Sequence, residues 1–251
     1  MPFVHRFFAP GFAGGRSLQL PDDEAQHLAR VLRLKPGDTV AIFDGNGREA
    51  VARVEAVDAR KVVVRALEPR QSAAEPRVAL TLAQALLKND KMERVIRDAV
   101  MLGVAVVQPF VSRRTDVPRA ALRTGVRLER WERTVLSSVK QSGRAVVPPV
   151  RGAVDFQELL KSVAVAGQTS LMFVEPSAAK AGAVKELRVL ERNPPSHATI
   201  LVGPEGGWDP EEVDTAAGAG VTLVTLGSRT LRADAAGAVA IAVLQYIWND
   251  L

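Results

Sequence analysis

The sequence predicts an α/β protein in which a small β-rich domain precedes a larger domain built on a parallel sheet. Short strand-like runs dominate the first part of the chain, whereas strand-like and helical runs alternate in the later part, as is typical of parallel α/β sheets. The polar, proline-containing stretch at 68–77 separates the two regions. We therefore expect domains at 1–70 and 78–251, joined by a linker at 71–77.

The first domain is predicted to be a small β-barrel. The runs Thr39–Phe43 and Glu49–Val57 are strand-like and flank the sequence DGNG at 44–47, which is a strong hairpin signal. Residues 61–67 form one more strand-like run, and residues 22–32 carry apolar side chains at helical spacing. We therefore expect a barrel that includes one short helix.

The second domain begins with a β-α-β pattern. Residues 78–82 are strand-like, apolar residues recur at helical intervals between 92 and 100, and Gly103 precedes another strand-like run at 104–107. A helical pattern follows at 131–142, and later strand-like runs lie at 170–174, 198–202 and 221–226. We expect these strands to form one parallel sheet.

A glycine-rich turn, GPEGG at 203–207, directly follows the apolar run 198–202. Glycine permits positive φ and lets a ligand approach bare backbone. Asp209 is a natural helix N-cap, Pro210 suits the first helical position, and Glu212 completes a capping box. A strand, a glycine loop and a capped helix in this order predict a ligand site at the carboxyl end of the strand. A tight β-α connection without a ligand is the alternative.

Two arginines follow another strand-like run. After 221–226, Gly227 opens the chain before Arg229 and Arg232. An arginine in this position can pair with phosphate or carboxylate through its planar fork, although two solvated surface charges are the alternative. A third loop, at 175–177, follows the run 170–174 in the same way. Because the carboxyl ends of parallel strands meet at one edge of a sheet, the three loops predict one pocket.

The last helical run, at 235–248, is apolar on nearly every face, and Asp234 is its predicted N-cap. In a water-soluble protein such a helix must be enclosed or packed against another chain. The pattern therefore predicts that this helix is buried, either within the chain or against another chain.

The composition excludes several classes of protein. The chain has no cysteine and three scattered histidines, so neither disulfides nor a zinc centre are expected. The first twenty or so residues lack the apolar segment of a signal peptide, and no run is long enough to span a bilayer, so we expect a cytoplasmic protein with no membrane association. The net charge of +5 favours a polyanionic partner, although many basic proteins bind none.

The motifs together resemble a known family. GPEGGWDPEEV, LGSRTLRAD and the alanine-rich terminal helix look like the signature blocks of the SPOUT methyltransferases that methylate N3 of a uridine in 16S ribosomal RNA. The likeness extends to HLARVLRLKPGDTVAIFDGNG, LAQALLKNDKMERVIRDAVMLGV, the segment 109–117 and KQSGRAVVPPV, and thus covers most of the chain. The family usually has Glu-Leu-Gly where this chain has MLG at 101–103, and Thr-Glu-Thr or Thr-Glu-Ala where it has ADA at 233–235.

The resemblance implies a fold, a reaction and partners. The second domain would be a SPOUT-type parallel sheet with a trefoil knot, which is an exception to the near-absence of knots, and the first would be a PUA-like RNA-binding β-barrel. The cofactor would be S-adenosyl-L-methionine, and the partners would be 16S rRNA or the small ribosomal subunit and a second copy in a homodimer. A methyltransferase of this fold that acts on another RNA position and a noncatalytic RNA-binding protein remain the alternatives.

The resemblance and the loop positions also predict the site residues. Arg232 would stabilise the negative charge that develops on the uracil; Glu205 is either a proton acceptor or a residue that fixes its loop. We expect the cofactor to contact Phe173, Val174, Glu175, Leu201, Val202, Gly203, Pro204, Glu205, Gly206, Gly207, Leu226, Gly227, Thr230, Leu231 and Arg232. We expect RNA to contact Arg6, Arg30, Arg33, Lys88, Lys91, Arg114, Gln141, Arg144 and Arg229, for which solvated surface positions are the alternative. No metal site is expected.

Overall fold

The computed structural model describes residues 4–58, 61–117, 126–164, 167–177, 185, 187–190 and 193–251. The chain divides into two compact units. The first unit comprises Met1–Glu75 and Leu136–Val147, and the second comprises Pro76–Val135 and Pro148–Leu251. The first change of unit lies within the stretch 71–77, whereas no sequence pattern indicated that residues 136–147 pack with the first unit.

The first unit contains a five-stranded sheet that curls into a half-barrel. Its strands are β1 (Arg6–Phe8), β2 (Ser17–Gln19), β3 (Thr39–Phe43), β4 (Glu49–Val57) and β5 (Val62–Arg70). They lie in the order β1-β3-β4-β5-β2, in which β1 and β3 are parallel and the other neighbours antiparallel. The two predicted hairpin strands are confirmed to the residue. The described edge strands β1 and β2 do not pair with each other, so the predicted PUA-like β-barrel takes the form of a curled half-barrel.

The hairpin between β3 and β4 is fixed by the buried side chain of Asp44. Its carboxylate accepts hydrogen bonds from the amides of Asn46 and Arg48 at 2.8 and 3.0 Å, and from Nε of Arg48 at 2.7 Å. Burial opposes ionisation of Asp44, but these bonds outweigh it and lower the pKa of the carboxyl. The turn chemistry of DGNG therefore depends on its aspartate as well as its glycines.

Residues 22–32, predicted as a single helix, form two consecutive helices of different types. An α-helix, α1 (Asp22–Gln26), continues as a π-helical segment (His27–Leu32). The amide of Arg33 donates to the carbonyl of Leu28, five residues earlier, and Arg33 then ends the segment with φ at 54°. The spacing of apolar residues over such a short run does not distinguish backbone hydrogen bonds to the fourth preceding residue, as in an α-helix, from bonds to the fifth, as in a π-helix. For this reason the sequence did not predict the π segment.

The second unit contains a six-stranded sheet in which every strand is parallel to its neighbours, as predicted. Its strands are β6 (Ala79–Ala85), β7 (Val106–Val111), β8 (Val154–Asp155), β9 (Thr169–Phe173), β10 (His197–Val202) and β11 (Thr222–Val224). They lie in the order β11-β9-β10-β6-β7-β8. Because β11, β9 and β10 are adjacent and parallel, the loops that follow them leave the same edge of the sheet side by side.

Helices cover both faces of this sheet. The helices of this part of the chain are α2 (Lys91–Met101), α3 (Val126–Ser142), α4 (Phe156–Val163), α5 (Pro210–Gly218) and α6 (Ala233–Ile247), with a short 3₁₀ segment at Leu187–Leu190. Of these, α4, α5 and α6 pack against strands of the sheet. Successive strand residues point to opposite faces: Ala83 joins the core cluster that contains residues of α4 and α5, whereas Leu82 contacts Gly237 of α6. Helix α6 also packs on α2. The last turns of α3 belong to the first unit.

The terminal helix α6 begins one residue before its predicted cap. Arg232 is the N-cap, so the prediction of Asp234 as N-cap is wrong. The carboxylate of Asp234 is bonded to the Arg232 side chain instead of the helix amides. Ile241 and Leu244 are fully buried within the chain, whereas Tyr246 is 77% exposed. The helix is therefore enclosed on one side only.

The end of the chain is bonded to the start of the second unit. The carboxylate of Asp250 accepts hydrogen bonds from the amides of Arg77 and Val78, both at 2.8 Å, and from Nε of Arg77 at 3.3 Å. Burial raises the pKa of Asp250, but the amides and the guanidinium outweigh burial and lower it overall. In the part of the chain that the structure describes, no helix is long and apolar enough to cross a bilayer.

Candidate active site

A cavity of about 430 Å³ opens at the carboxyl edge of the parallel sheet. The loops after β9, β10 and β11 supply most of its wall, and the first residues of α2 and α6 complete it. Its described lining residues are Lys91, Phe173, Val174, Glu175, Pro176, Val202, Gly203, Pro204, Glu205, Thr225, Leu226, Arg229, Thr230, Leu231, Arg232, Ala233, Asp234 and Ala236. The three strand-end loops therefore meet at one cavity.

Most of the residues that the sequence predicted for cofactor binding lie on this wall. They are Phe173, Val174, Glu175, Val202, Gly203, Pro204, Glu205, Leu226, Thr230, Leu231 and Arg232. Leu201, Gly206, Gly207 and Gly227 do not line the cavity. The residues predicted to contact the cofactor did not include Pro176, Thr225, Ala233, Asp234 and Ala236, which also line the cavity; the first three adjoin predicted residues in the chain.

The side chain of Trp208 holds the glycine turn in place. It is 3% exposed, stacks on Phe110 with ring centroids 5.9 Å apart, and donates a hydrogen bond from Nε1 to the carbonyl of Phe173 at 2.8 Å. A Cβ atom on Gly203 would lie 3.0 Å from the Trp208 indole. Gly203 is therefore required for the tryptophan to pack beneath the turn, and the tryptophan joins the loop after β10 to the end of β9.

The other two glycines of the turn face protein groups. A Cβ on Gly206 would lie 3.2 Å from both Cβ and the carbonyl oxygen of Arg114, in the loop after β7. Gly207 has φ at 70°, and its Cβ would lie 3.0 Å from Oε1 of Glu175. At Gly206 the missing side chain makes room for the neighbouring loop that contains Arg114. The glycine is therefore needed for packing between loops and not for the approach of a ligand to bare backbone.

The helix after the turn is capped as the sequence predicted. The side chain of Asp209 accepts from the amide of Glu211 at 3.1 Å, and Glu212 completes the capping box. Glu212 also accepts from the amide of Arg113 at 2.9 Å. Burial raises the pKa of the Glu212 carboxyl. The cap thus joins α5 to the loop after β7, a contact that the capping pattern alone did not reveal.

Glu205, at the centre of the turn, is bonded to the start of α2. Its Oε1 accepts from Nζ of Lys91 at 2.8 Å and from the amide of Lys88 at 3.2 Å. Burial opposes ionisation of Glu205, but these bonds outweigh it and lower the pKa of the carboxyl. A carboxylate held in this way is a poor proton acceptor, so the geometry favours the loop-fixing role. Lys91 is accordingly a wall residue whose ammonium is already paired.

The two arginines of the loop after β11 differ in their partners. Arg232 makes two hydrogen bonds to Asp234, from Nε to Oδ1 at 2.9 Å and from Nη2 to Oδ2 at 2.8 Å. The bonds from Arg232 hold the pKa of Asp234 below its usual value. Arg229 also lines the cavity and has no ion-pair partner among the described residues. The loop therefore presents one paired and one unpaired guanidinium.

The structure places Arg6 in the interior of the first unit. Its side chain is 9% exposed and binds Glu49 through Nη2 at 2.7 Å and Nε at 3.2 Å. Its Nη1 donates to the carbonyls of Val139 and Lys140, both at 2.8 Å, and its Nη2 donates to that of Arg144 at 2.7 Å. Arg6 therefore satisfies carbonyls at the end of α3, and the prediction that it contacts RNA is corrected.

The prediction that Arg144 contacts RNA is corrected for the same reason. It is 3% exposed, and its guanidinium binds the carboxylate of Glu75 through Nε at 3.0 Å and Nη2 at 2.5 Å. The other residues predicted to contact RNA in the first unit are Arg30, Arg33 and Gln141, and all three are exposed. In the second unit Arg114 is 46% exposed and Lys88 is 48% exposed and paired with Asp116.

The described residues contain no group of three or more histidine, aspartate and glutamate side chains that could hold a metal ion. The ionisable residues of the cavity wall are instead arranged as acid–base pairs and two groups outside those pairs, Glu175 and Arg229. Such a site can bind and orient a polar ligand and stabilise developing negative charge.

Comparison with known proteins identifies the family. The profile of the RNA methyltransferase domain matches residues 74–245, and that of the RNA methyltransferase PUA domain matches residues 20–67. The chain is 33% identical over 227 residues to Ribosomal RNA small subunit methyltransferase E of Synechocystis, covering 90% of this chain and 72% of the relative. It is 32% identical over 241 residues to the protein of the same name from Mycobacterium tuberculosis, covering 90% and 86%.

Two solved structures extend this similarity to the fold. A ribosomal RNA small subunit methyltransferase E from Neisseria gonorrhoeae, bound to S-adenosyl methionine, superposes with a TM-score of 0.86 at 34% identity and covers 98% of both chains. A protein from Legionella pneumophila in complex with the bound cofactor SAM gives a TM-score of 0.87 at 28% identity, covering 97% of this chain and 98% of the other. The domain profile, the relatives and the fold agree, and the chain belongs to the ribosomal RNA small subunit methyltransferase E family.

Proposed function

We propose that this protein transfers a methyl group from S-adenosyl-L-methionine to N3 of one uridine in the 16S rRNA of the small ribosomal subunit. The observation that carries the proposal is the 430 Å³ cavity at the carboxyl edge of the parallel sheet, where three loops bring Arg232 beside a ligand-sized space. Membership of the family supports the same reaction.

The cavity fits this cofactor. Its volume falls within the range of about 300–1,000 Å³ that is usual for small-molecule sites. Phe173, Val202 and Leu226 provide apolar wall, while Glu175 and Thr230 provide polar groups. The similar protein of Neisseria gonorrhoeae is bound to the same molecule. When bound, S-adenosyl-L-methionine supplies an activated methyl group on a sulfonium.

Arg232 is proposed as the catalytic residue. The N3 atom of uridine releases its proton to solvent water before or during methyl transfer, and negative charge then spreads onto the flanking carbonyl oxygens. A guanidinium fixed at the cavity wall can stabilise this charge without reorganising. Asp234 holds Nε and Nη2 of Arg232, and Nη1 has no partner among the described residues. That group is free to donate to the uracil.

Glu205 is proposed as a positioning residue for the glycine turn. Its lowered pKa and its bond to Lys91 argue against a role as proton acceptor. In-line approach of N3 to the methyl group requires the cavity wall to be well ordered, since positioning supplies much of the rate in such reactions. The Lys91–Glu205 bond contributes by fixing the loop after β10 to α2.

Exposed basic residues are proposed to hold the RNA backbone. Arg114 and Arg229 lie near or on the cavity in the second unit, and Arg30 and Arg33 are exposed in the first. Lysine and arginine side chains bind phosphate largely through charge. An rRNA substrate would place the protein in the cytoplasm.

We further propose that the chain acts as a homodimer. Helix α6 is apolar, but its stripe of Val239, Val243 and Tyr246 is exposed or half-exposed, with Val239 38% and Tyr246 77% accessible. These residues recur at helical intervals and form one face. A two-fold axis beside this face would bury it against the same face of a second copy.

The deciding experiment is methyl transfer from tritiated cofactor to small ribosomal subunits of a strain that lacks the enzyme, followed by nucleoside analysis. The proposal expects 3-methyluridine. A labelled ribose or guanine would indicate a methyltransferase that acts on another position. Absence of transfer, together with retained RNA binding, would indicate a noncatalytic RNA-binding protein.

A further inference from the structure

One carboxylate on the cavity wall has an oxygen without a partner. Glu175 lies two residues beyond the end of β9 and lines the cavity. Its Oε2 is buried and has no hydrogen-bond partner among the described residues. A buried polar atom that loses water without gaining a hydrogen bond costs free energy, and the cost is larger for a charged group. Such an atom calls for an explanation in a folded protein.

The other two carboxylates of the cavity wall each have a hydrogen-bond partner within the protein. Glu205 is bonded to Lys91 at 2.8 Å, and Asp234 is bonded to Arg232 at 2.8 Å. Each therefore has a cation of the chain as partner, and neither depends on a ligand for its hydrogen bonds. Glu175 differs because no cation of the described structure is paired with it.

The backbone around Glu175 keeps its side chain in place. Gly207 approaches so closely that a Cβ there would lie 3.0 Å from Oε1, and the positive φ of Gly207 disfavours any other residue. Trp208 bonds to the carbonyl of Phe173, two residues before Glu175, at 2.8 Å. The carboxylate is thus positioned by packing, while its hydrogen-bonding capacity is left for something that enters the cavity.

We propose that Glu175 accepts a hydrogen bond from the bound cofactor and so selects for a ligand that carries a donor at this point. A carboxylate can only accept, and S-adenosyl-L-methionine offers three kinds of suitable donor: its ribose hydroxyls, the exocyclic amine of its adenine and its ammonium group. A bond to a charged acceptor is among the stronger hydrogen bonds. This inference rests on the proposed function, because it takes the cofactor to occupy this cavity.

The test is calorimetric binding of three ligands to wild-type protein and to Glu175→Gln. The ligands are S-adenosyl-L-methionine, S-adenosylhomocysteine and 5′-methylthioadenosine, the last of which keeps the ribose but lacks the amino-acid end. The variant should bind the first two about tenfold to a hundredfold more weakly, the scale of one charge-assisted hydrogen bond. An equal loss for 5′-methylthioadenosine assigns the donor to the nucleoside, and its unchanged binding assigns the donor to the ammonium.

Thermal unfolding provides a second readout and separates ligand binding from a structural role. Because Glu175 has an unsatisfied oxygen, the ligand-free Glu175→Gln protein should unfold at the same temperature as wild type or higher, while its stabilisation by the cofactor shrinks. Glu158→Gln is the matched control, since Glu158 is exposed on α4 and does not line the cavity; it should leave both quantities unchanged.

Each contrary result has a distinct meaning. Equal affinities of wild type and Glu175→Gln for all three ligands would overturn the role of Glu175 while leaving the cofactor assignment intact. A lowered unfolding temperature of the ligand-free variant would overturn it in favour of a structural role. Failure of the wild type to bind any of the three would overturn both this inference and the proposed function.

Discussion

The guanidinium of Arg232 and the carboxylate of Asp234 share two hydrogen bonds, of 2.9 and 2.8 Å, across a single intervening residue at the start of α6. The pair lies on the cavity wall, and Arg232 remains 72% exposed. An exposed pair of this kind adds little to stability. Its consequence is orientation: the carboxylate fixes the plane of the guanidinium beside the space where substrate would bind.

Replacing Arg232 with alanine should reduce the rate of methyl transfer by about a hundredfold or more, the scale of losing one donor to a developing oxyanion. Arg232→Lys should restore only part of the rate, because an ammonium cannot reproduce the planar fork. Single-turnover transfer to small subunits measures the rate, and calorimetry should show nearly unchanged cofactor affinity. A wild-type rate in Arg232→Ala would remove Arg232 from the chemistry.

Asp234→Asn should lower kcat by about three- to tenfold with a smaller change in KM, because the amide holds the Arg232 guanidinium less firmly. Asp234→Glu should recover part of kcat, since it keeps the carboxylate. Steady-state kinetics with small subunits separate the two constants. Equal losses in the asparagine and glutamate variants would contradict an orienting role.

Glu205→Gln tests whether Glu205 fixes the glycine turn or accepts the proton from the substrate. If Glu205 only fixes the loop through Lys91, the variant should keep its rate within about tenfold of wild type and show the same pH–rate profile. General base catalysis contributes about a hundredfold to ten-thousandfold. A loss of that size, together with disappearance of the acidic limb of the profile, would reinstate Glu205 as the proton acceptor.

Asp250 predicts a pH-dependent contribution to stability. Its pKa in the folded protein lies below the ordinary value of 3.8, so the folded state favours the carboxylate more than the unfolded state does. The stabilisation is present above the unfolded pKa and is lost as the pH falls from about 4 through the folded pKa. Asp250→Asn should therefore lower the unfolding temperature at neutral pH and narrow the difference from wild type below pH 4 or so. Asp90→Asn, at a 55% exposed position, is the control and should change little.

The proposed dimer is tested with two different substitutions on α6. Val239→Glu with Tyr246→Glu changes exposed positions and should yield a folded monomer in light scattering and circular dichroism. Ile241→Glu places a charge at a fully buried position and should reduce the free energy of unfolding by on the order of 4 kcal/mol. A wild-type chain that scatters as a monomer at micromolar concentration would contradict the dimer.

Local patterns predicted the elements of the fold well. The strand-like runs Thr39–Phe43 and Glu49–Val57, the parallel sheet and the capping box of Asp209 and Glu212 were each predicted from residues near one another in the chain. The three strand-end loops could be assigned to one edge because parallel strands leave no other arrangement. The trefoil knot stays a prediction, since it depends on how the chain threads rather than on any local pattern.

Pairings between distant residues were the part that could not be predicted. Arg6 and Glu49 are separated by 43 positions, and Lys91 and Glu205 by 114, so composition could not show that these charges neutralise each other. Because charged residues are rarely buried unless they are paired, a charged residue is predicted to be solvent-exposed when its partner is not known. For this reason the sequence placed the buried Arg6 and Arg144 toward RNA, whereas contact of Lys91 with RNA stays a prediction.

The membership of Leu136–Val147 in the first unit limits how this protein can be divided or recombined. The chain leaves the first unit after Glu75, returns at Leu136 and leaves again after Val147. A fragment that ends at residue 75 would omit the carbonyls of Val139 and Lys140, and the Arg6 guanidinium would lose acceptors that it has in the whole chain. The half-barrel therefore cannot be exchanged as one continuous segment. A gene fusion that replaces it must also replace the separate coding sequence for Leu136–Val147.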